Sequence, residues 1–243
     1  MLELRNISKN FGNHQVLNQI EFSIGSNEIV GLIGESGSGK STIAELIMGL
    51  QQPTEGEILW EQGRNCQYIY QNPERSFNPY LTMQESLLEP LLLSKVPKEE
   101  AMAQIDKLME QAELPNGLLM RKPYECSGGQ KQRAAIIRAL TCKPSLLIAD
   151  EITSALDPET ESVIIELLHD FQRHLQLSIL YITHRIMTIE QFANRLLVLE
   201  KGKIVENRPT KDVLYNPKHS YTKQLIDASA YFERRQKLFV KQA

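Results

Sequence analysis

The chain has 243 residues, of which 42% are hydrophobic and 23% are charged, and its formal net charge is −3. This length and composition are typical of a globular α/β domain and exclude a chain that is disordered throughout. The small negative charge gives no general attraction to nucleic acid, so we expect no nucleic-acid partner. Cys66, Cys126 and Cys142 are widely spaced, which predicts neither a disulfide framework nor a zinc site.

The first six residues open directly into an alternating strand pattern and lack the charged leader and apolar core of a secretion signal. No apolar run approaches the roughly 20 residues that are needed to cross a bilayer. We therefore expect any association with a membrane to depend on a partner protein.

Residues 2–24 alternate between apolar and polar side chains around a break at residues 10–13, which predicts antiparallel strands joined by turns. Phe11 lies at this break. Its ring is suited to stack on an adenine, or equally to fill a gap between strands.

A glycine-rich stretch follows an apolar run at residues 29–33 and consists of Gly34, Glu35, Ser36, Gly37, Ser38, Gly39, Lys40 and Ser41, with Thr42 next in an amphipathic helix. The pattern G-x-x-x-x-G-K-S between a buried strand and a helix indicates a phosphate-binding loop. Backbone amides and the helix dipole attract phosphate oxygens there. Lys40 would reach the β and γ phosphates, and Ser41 would offer its hydroxyl to Mg²⁺. The sequence therefore predicts a nucleoside triphosphate site.

Gln71 follows a short predicted strand at residues 66–70. Polar side chains at the ends of buried strands in α/β folds lie where ligands bind. Gln71 is therefore a candidate to contact a metal ion or an attacking water, and the alternative is a solvated strand end.

Residues 86–119 follow a helical pattern that Pro90, Pro97 and Pro115 interrupt. This pattern predicts a helical segment inserted between strands. Such an insertion suggests a moving part or a docking surface, and a plain embellishment of the fold is an equal alternative.

A second polar, glycine-rich stretch, Ser127, Gly128, Gly129 and Gln130, leads into a predicted helix. Ser127 is suited to cap this helix, and the glycines permit close backbone approach, as at an anion-binding helix start. One nucleotide does not need two such sites on a small domain. A well-capped helix without a ligand is the alternative.

Residues 145–149 form a near-continuous apolar run that ends in Asp150 and Glu151, the pattern of a buried parallel strand with carboxylates at its carboxyl end. Asp150 is suited to hold Mg²⁺ through water, and Glu151 to act as a general base. A solvated acidic turn is the alternative.

A turn at residues 154–158 precedes a predicted helix at 159–175, and a β-branched run at 177–183 ends in His184. This position on the ligand edge suits a contact with the γ phosphate, although a structural role is equally open. A hairpin at 195–206 and helical patterns from residues 211 and 221 follow, and residues 232–243 form a solvated helix or a frayed tail.

Together these motifs resemble the nucleotide-binding subunit of an ABC transporter over essentially the whole chain. The resemblance places the Walker A loop at 34–41, the Walker B strand at 146–150, the catalytic glutamate at Glu151, the Q-loop at Gln71, the signature motif at 126–130, the D-loop at 154–157, the switch histidine at His184 and the A-loop ring at Phe11. Cys126 replaces the leucine that is usual in the signature motif, and Phe11 replaces the usual tyrosine.

Two further stretches narrow the resemblance to the oligopeptide, dipeptide and nickel importers. Residues 71–79 are similar to their "Q-N-P…S-L-N-P" run, and residues 216–225 to their "P-x-H-P-Y-T-x-x-L" tail, with Ser220 in place of proline. Within this group, the chain resembles the compact second ATPase of nickel or metal-chelate importers. This resemblance is based on the short segment between Gly56 and Gln71 and on the lack of a cysteine-rich extension.

The resemblance implies a phosphate-loop ABC ATPase fold: a mostly parallel core sheet flanked by helices, with an antiparallel β subdomain and a helical insertion. We expect one ABC domain over 1–243, with its core at about 1–85 and 120–209, a helical subdomain at about 86–140 and a helical tail at 210–243.

The resemblance also implies ATP hydrolysis with Mg²⁺, coupled to import of nickel, metal chelates or oligopeptides. Ser41, Gln71 and Asp150 would place the metal ion. Ser127, Gly128, Gly129 and Gln130 would contact the ATP of a second subunit, and Asp157 would cross the interface.

The implied partners are a second ATPase that is a non-identical sister chain, two transmembrane permease subunits and an extracytoplasmic solute-binding protein. The implied location is peripheral, at the cytoplasmic face of the cell membrane. A phosphate-loop phosphotransferase and a non-transport ABC ATPase are the alternatives.

Overall fold

The computed structural model describes residues 1–229, and the predicted tail beyond residue 229 lies outside the described residues. The described residues form two compact units, one from residues 1–64 with residues 180–229, the other from Asn65–Ile179. Among the described residues, no helix is both long enough and apolar enough to span a membrane.

The strands are β1 (Leu2–Phe11), β2 (His14–Ile24), β3 (Ile29–Ile33), β4 (Glu55–Trp60), β5 (Cys66–Ile69), β6 (Leu146–Asp150), β7 (Ser178–Ile182), β8 (Arg195–Glu200) and β9 (Lys203–Pro209). The helices are α1 (Lys40–Met48), α2 (Met83–Leu93), α3 (Lys98–Gln111), α4 (Gly128–Thr141), α5 (Pro158–Leu175), α6 (Ile186–Glu190) and α7 (Thr210–Tyr215). Residues 220–229 are helical as well. Three short 3₁₀ turns lie at Pro73–Ser76, Asn116–Met120 and Pro123–Glu125.

The first unit contains an antiparallel sheet in the order β2-β1-β4. Leu2, Leu4 and Ile7 of β1 are buried, as expected for a sheet with one face on a core, and the pairing with β2 shifts register between Leu4 and Ile7. The same unit pairs β3 in parallel with β8, and β8 antiparallel with β9. All five residues of β3 are buried, which explains its continuous apolar sequence.

The second unit pairs β5 in parallel with β6, from Cys66 opposite Leu146 to Ile69 opposite Ala149. All five residues of β6 are buried, including Asp150 at its end. Helices α2, α3 and α4 contact one another within this unit and provide the helices that the sequence predicts for its middle segment.

Pro90 differs from its predicted role as a break, because it lies inside α2. A proline lacks the N–H that would bond the carbonyl one turn earlier, here the carbonyl of Ser86. The guanidinium of Arg138 donates to that carbonyl instead, at 3.0 Å, and also pairs with Glu89 at 2.7 Å. The helix continues because α4 satisfies the oxygen that the proline leaves without a partner. Pro97 and Pro115, in contrast, directly precede α3 and a 3₁₀ turn.

Candidate functional site

The predicted phosphate-binding loop joins β3 to α1. A Cβ atom on Gly34 would lie 2.3 Å from the carbonyl oxygen of Leu199, so no larger residue fits there. Gly37 and Gly39 have φ of +80° and +111°, which L residues rarely adopt. The three glycines therefore shape a loop that closes tightly onto the start of a helix.

Lys40 is the first residue of α1 and is buried. Its ammonium group donates to the carbonyl oxygens of Gly34 and Glu35 at 2.8 and 2.9 Å. A buried ammonium needs such partners, and here they hold the positive charge over the loop. The start of a helix presents backbone N–H groups, and the helix dipole adds partial positive charge there, so the loop is suited to bind phosphate.

His184 follows β7 in the same unit and is exposed. The N–H of Thr183 donates to the carbonyl of Leu32 at 3.2 Å. The residue before His184 therefore lies beside the end of β3, two residues before Gly34. This agrees with the predicted place of His184 at the ligand edge.

Phe11 ends β1, and its ring is 46% exposed. The ammonium nitrogen of Lys9 lies 4.9 Å from the ring centroid, a distance typical of a cation–π contact. The half-exposed ring is consistent with stacking on a base more than with filling a gap between strands.

The second unit holds the predicted carboxylates. Asp150 ends β6 and is 8% exposed, and the hydroxyl of Tyr68 donates to one of its carboxylate oxygens at 2.5 Å. Tyr68 is not among the residues that the sequence motifs identify. Its signal is positional, because the carboxyl ends of the parallel strands β5 and β6 meet at one edge and bring its hydroxyl within reach of Asp150.

Gln71, Glu151 and Ser154 form a cluster in the second unit. The side-chain amide of Gln71 donates to the Glu151 carboxylate at 3.2 Å and to the Ser154 hydroxyl at 3.1 Å. Glu151 has φ of +50°, an uncommon conformation for a residue other than glycine that often occurs at functional sites. The structure thus brings together the predicted base and the predicted Q-loop glutamine.

Ser127 caps α4, as the sequence predicts. Its hydroxyl accepts the N–H of Gln130 at 3.3 Å, and the Gln130 side chain accepts the N–H of Ser127 at 3.0 Å, which completes a capping box. A Cβ atom on Gly129 would lie 2.9 Å from the Thr160 methyl group, so glycine allows the start of α4 to approach α5.

Asp157 caps α5 and accepts hydrogen bonds from both the N–H and the hydroxyl of Thr160, at 2.9 and 2.7 Å. These bonds lower the pKa of Asp157 below its ordinary value. The starts of α4 and α5 therefore meet at Thr160, which places the predicted signature and D-loop segments side by side.

Cys126, the variant position of the predicted signature segment, is buried. Burial raises the pKa of its thiol. The side chain therefore behaves as a small apolar residue next to the cap of α4, which is compatible with the leucine usual at this position.

Comparison with known proteins agrees with this geometry. Residues 17–154 match the family model described as ABC transporter. A protein of Brucella ovis named as a proposed peptide import ATP-binding protein is 36% identical over 94% of this chain and 78% of its own length. A similarly named protein of Brucella abortus is 35% identical over 88% of this chain and 69% of its own length.

Solved structures show the same fold. A Clostridium perfringens protein that is part of the ABC transporter complex cbiONQ has a TM-score of 0.82 and 24% identity, over 88% of this chain and 90% of its own. A dimeric ATP-binding cassette in a post-hydrolysis state, bound to ADP and phosphate, has a TM-score of 0.76 and 29% identity, over 86% of this chain and 99% of its own. The predicted fold class is confirmed, and the chain belongs to the ABC transporter family as an ATP-binding subunit with ATPase activity.

Proposed function

We propose that this chain is the ATP-hydrolysing subunit of an ABC importer that takes up peptides. The observation that carries the proposal is the similarity over 94% of the chain to a relative named for peptide import. The tail at residues 216–225, which resembles that of peptide and nickel importers, supports the same group. Nickel and metal chelates are the competing cargoes.

In the first unit, we assign ATP phosphates to the loop amides and to Lys40, whose ammonium already lies over the loop. Phe11 stacks on the adenine, and His184 contacts the γ phosphate. The close approach of Thr183 to Leu32 supports the second assignment.

Mg²⁺ is assigned the hydroxyl of Ser41, the amide oxygen of Gln71 and, through water, the carboxylate of Asp150. These are the oxygen ligands that Mg²⁺ prefers, and it takes few of them from protein because it keeps several waters. Among the described residues, no three His, Cys, Asp or Glu side chains are grouped to hold a metal ion. When bound, Mg²⁺ neutralises charge on the phosphates. The Tyr68 hydroxyl fixes the orientation of the Asp150 carboxylate for this role.

Glu151 acts as the general base that removes a proton from the attacking water. Gln71 donates to its carboxylate and thereby orients it. Of the residues at the start of α4, Ser127, Gly128, Gly129 and Gln130 contact the ATP of a second ATPase subunit, and Asp157 crosses that interface. A second ATPase explains why one chain carries two anion-binding helix starts, and the dimeric form of a related cassette supports pairing.

We further propose a non-identical sister ATPase, two transmembrane permease subunits and an extracytoplasmic solute-binding protein as partners. The chain then binds peripherally at the cytoplasmic face of the membrane. The division into a core at about 1–85 and 120–209, a helical subdomain at about 86–140 and a tail at 210–243 stays a prediction. A phosphate-loop phosphotransferase is disfavoured because it has no use for the segment from Ser127 to Gln130.

Uptake by the reconstituted complex tests the cargo. The chain is co-purified with its permeases in proteoliposomes, and uptake of a labelled oligopeptide is measured beside uptake of nickel, free and chelated. We expect ATP-dependent uptake of the peptide, lost in Lys40→Ala. If the complex takes up nickel and does not take up the peptide, the peptide assignment is wrong and nickel is the cargo. A chain that never associates with membrane subunits would contradict the importer assignment.

A further inference from the structure

The hydroxyl of Tyr221 accepts a hydrogen bond from the backbone N–H of Glu35, with 2.9 Å between oxygen and nitrogen. Tyr221 lies in the helical segment 220–229, which is 186 residues away along the chain, and its side chain is 7% exposed. Glu35 is the first residue after Gly34 in the phosphate-binding loop. A side chain near the C-terminal end of the described chain therefore holds this loop at its beginning.

The glycine content of the loop explains why a hydrogen bond that holds its shape would matter. A glycine-rich segment has more conformational freedom than other segments, so holding it in one shape costs more entropy. The Lys40 ammonium donates a hydrogen bond to the carbonyl oxygen of Glu35 at 2.9 Å, and the hydroxyl of Tyr221 accepts the N–H of the same residue. The backbone N–H and the backbone carbonyl of Glu35 are therefore both held by side chains, and the loop amides proposed to bind phosphate follow Glu35 in the sequence.

The position of the tyrosine is itself fixed by a buried carboxylate on β9. Glu206 is 5% exposed and accepts the N–H groups of Lys218 and His219, both at 2.8 Å. It also pairs with the guanidinium of Arg208. Burial raises the pKa of Glu206, but the hydrogen bonds that it accepts from His219, Arg208, Thr222 and Lys218 together leave the pKa below its ordinary value. A charged carboxylate therefore anchors the chain two residues before Tyr221.

We propose that Tyr221 is a positioning residue of the phosphate-binding loop. By accepting the N–H of Glu35, it holds the loop in the shape in which the following amides bind phosphate. The proposal rests on the loop binding a nucleotide, and it adds that the C-terminal segment helps to set nucleotide affinity. Because the contact is with the start of the loop, it supports ATP and ADP alike.

The test is Tyr221→Phe in the full chain, which removes the hydroxyl and keeps the buried ring. Loss of one hydrogen bond of ordinary strength is expected to weaken binding of both ATP and ADP about 2- to 10-fold. Affinity is measured by equilibrium titration with a fluorescent ATP analogue and by competition with ADP, and the melting temperature is recorded for each variant. The positioning role predicts a change in affinity with a melting temperature close to that of the wild type.

Tyr215→Phe is the matched control. It removes another tyrosine hydroxyl from the same part of the chain, one that donates to the Glu190 carboxylate and not to the loop. We expect its nucleotide affinity to equal that of the wild type. Unchanged affinity in Tyr221→Phe, or an equal loss in both variants, would overturn the positioning role while leaving the ATPase assignment intact. A wild-type chain that binds neither nucleotide would instead contradict the assignment of the loop, and the proposal with it.

Discussion

Tyr68 links a strand without a recognisable motif to the chemistry of the proposed metal site. Its hydroxyl donates to Asp150 at 2.5 Å, and both residues lie at the carboxyl ends of paired parallel strands. A partner that orients a metal-binding carboxylate contributes to metal affinity without touching the metal. The same reasoning applies to Gln71, which orients the Glu151 carboxylate.

Tyr68→Phe is expected to raise the Mg²⁺ concentration that gives half-maximal ATP hydrolysis by about 10-fold, since loss of such a partner commonly costs that much in metal affinity. The measurement is a Mg²⁺ titration of ATPase activity in the assembled transporter.

Tyr70→Phe serves as its control, because Tyr70 is a partly exposed neighbour whose ring centroid lies 4.8 Å from that of Tyr68. This variant is expected to keep the wild-type Mg²⁺ dependence. A Tyr68→Phe titration curve that overlays the wild-type curve would exclude a role for the hydroxyl.

Two helices begin with the same device, a reciprocal capping box. In α4 it joins Ser127 and Gln130, and in α2 it joins Thr82 and Glu85. The two caps are similar in geometry, but only the one at α4 belongs to the proposed signature segment. They therefore allow the structural and the functional contribution of a capping hydroxyl to be separated.

Ser127→Ala and Thr82→Ala are each expected to lower the free energy of unfolding by about 1 kcal/mol, the usual cost of losing a capping side chain. Denaturant unfolding of the full chain measures this loss. Only Ser127→Ala is expected to reduce ATP turnover in the assembled transporter as well, because we assign its hydroxyl a contact with the ATP of the second subunit. If turnover falls equally in both variants, Ser127 acts only as a cap.

The strands and helices follow from the sequence where local chemistry decides them. The apolar run of β6 is buried throughout, and Ser127 caps α4 as its position predicts. Pro90 lies inside a helix, against its local preference, because Arg138 of α4 donates to the carbonyl oxygen of Ser86 that the proline cannot bond. A contact of this kind depends on tertiary packing, and no pattern in the neighbouring sequence signals it.

Some residues of the proposed site can be identified from sequence motifs, and others only from the folded structure. The loop from Gly34 to Ser41 and the acids at the end of β6 stand in recognisable motifs, so their candidates come from sequence alone. Tyr68 and Tyr221 act through partners 82 and 186 residues away, and such pairs become visible only when the chain has folded. From the sequence alone, either residue could equally be an ordinary core tyrosine, because its hydrogen-bond partner is not known.

At the scale of the whole molecule, the chain is an ABC cassette in which Tyr221, from the helical segment 220–229, bonds the start of the proposed phosphate-binding loop. In the same cassette, the side-chain amide of Gln71 donates to Glu151, the proposed catalytic base. We propose that ATP binding closes two such subunits on each other and that hydrolysis releases them, a shift between two states driven by the ligand. The permeases would convert this movement into import. This cycle requires Glu151 to act in hydrolysis and not in ATP binding.

The most direct test is ATP hydrolysis and ATP binding by Glu151→Gln in the assembled transporter, beside Glu166→Gln, which neutralises an exposed carboxylate in the middle of α5. Removal of a general base lowers rates by about 100-fold or more, so we expect turnover in Glu151→Gln to fall at least that far. ATP affinity should stay at the wild-type value, and Glu166→Gln should match the wild type in both measurements. Full hydrolysis by Glu151→Gln would contradict the assignment of Glu151 as the general base.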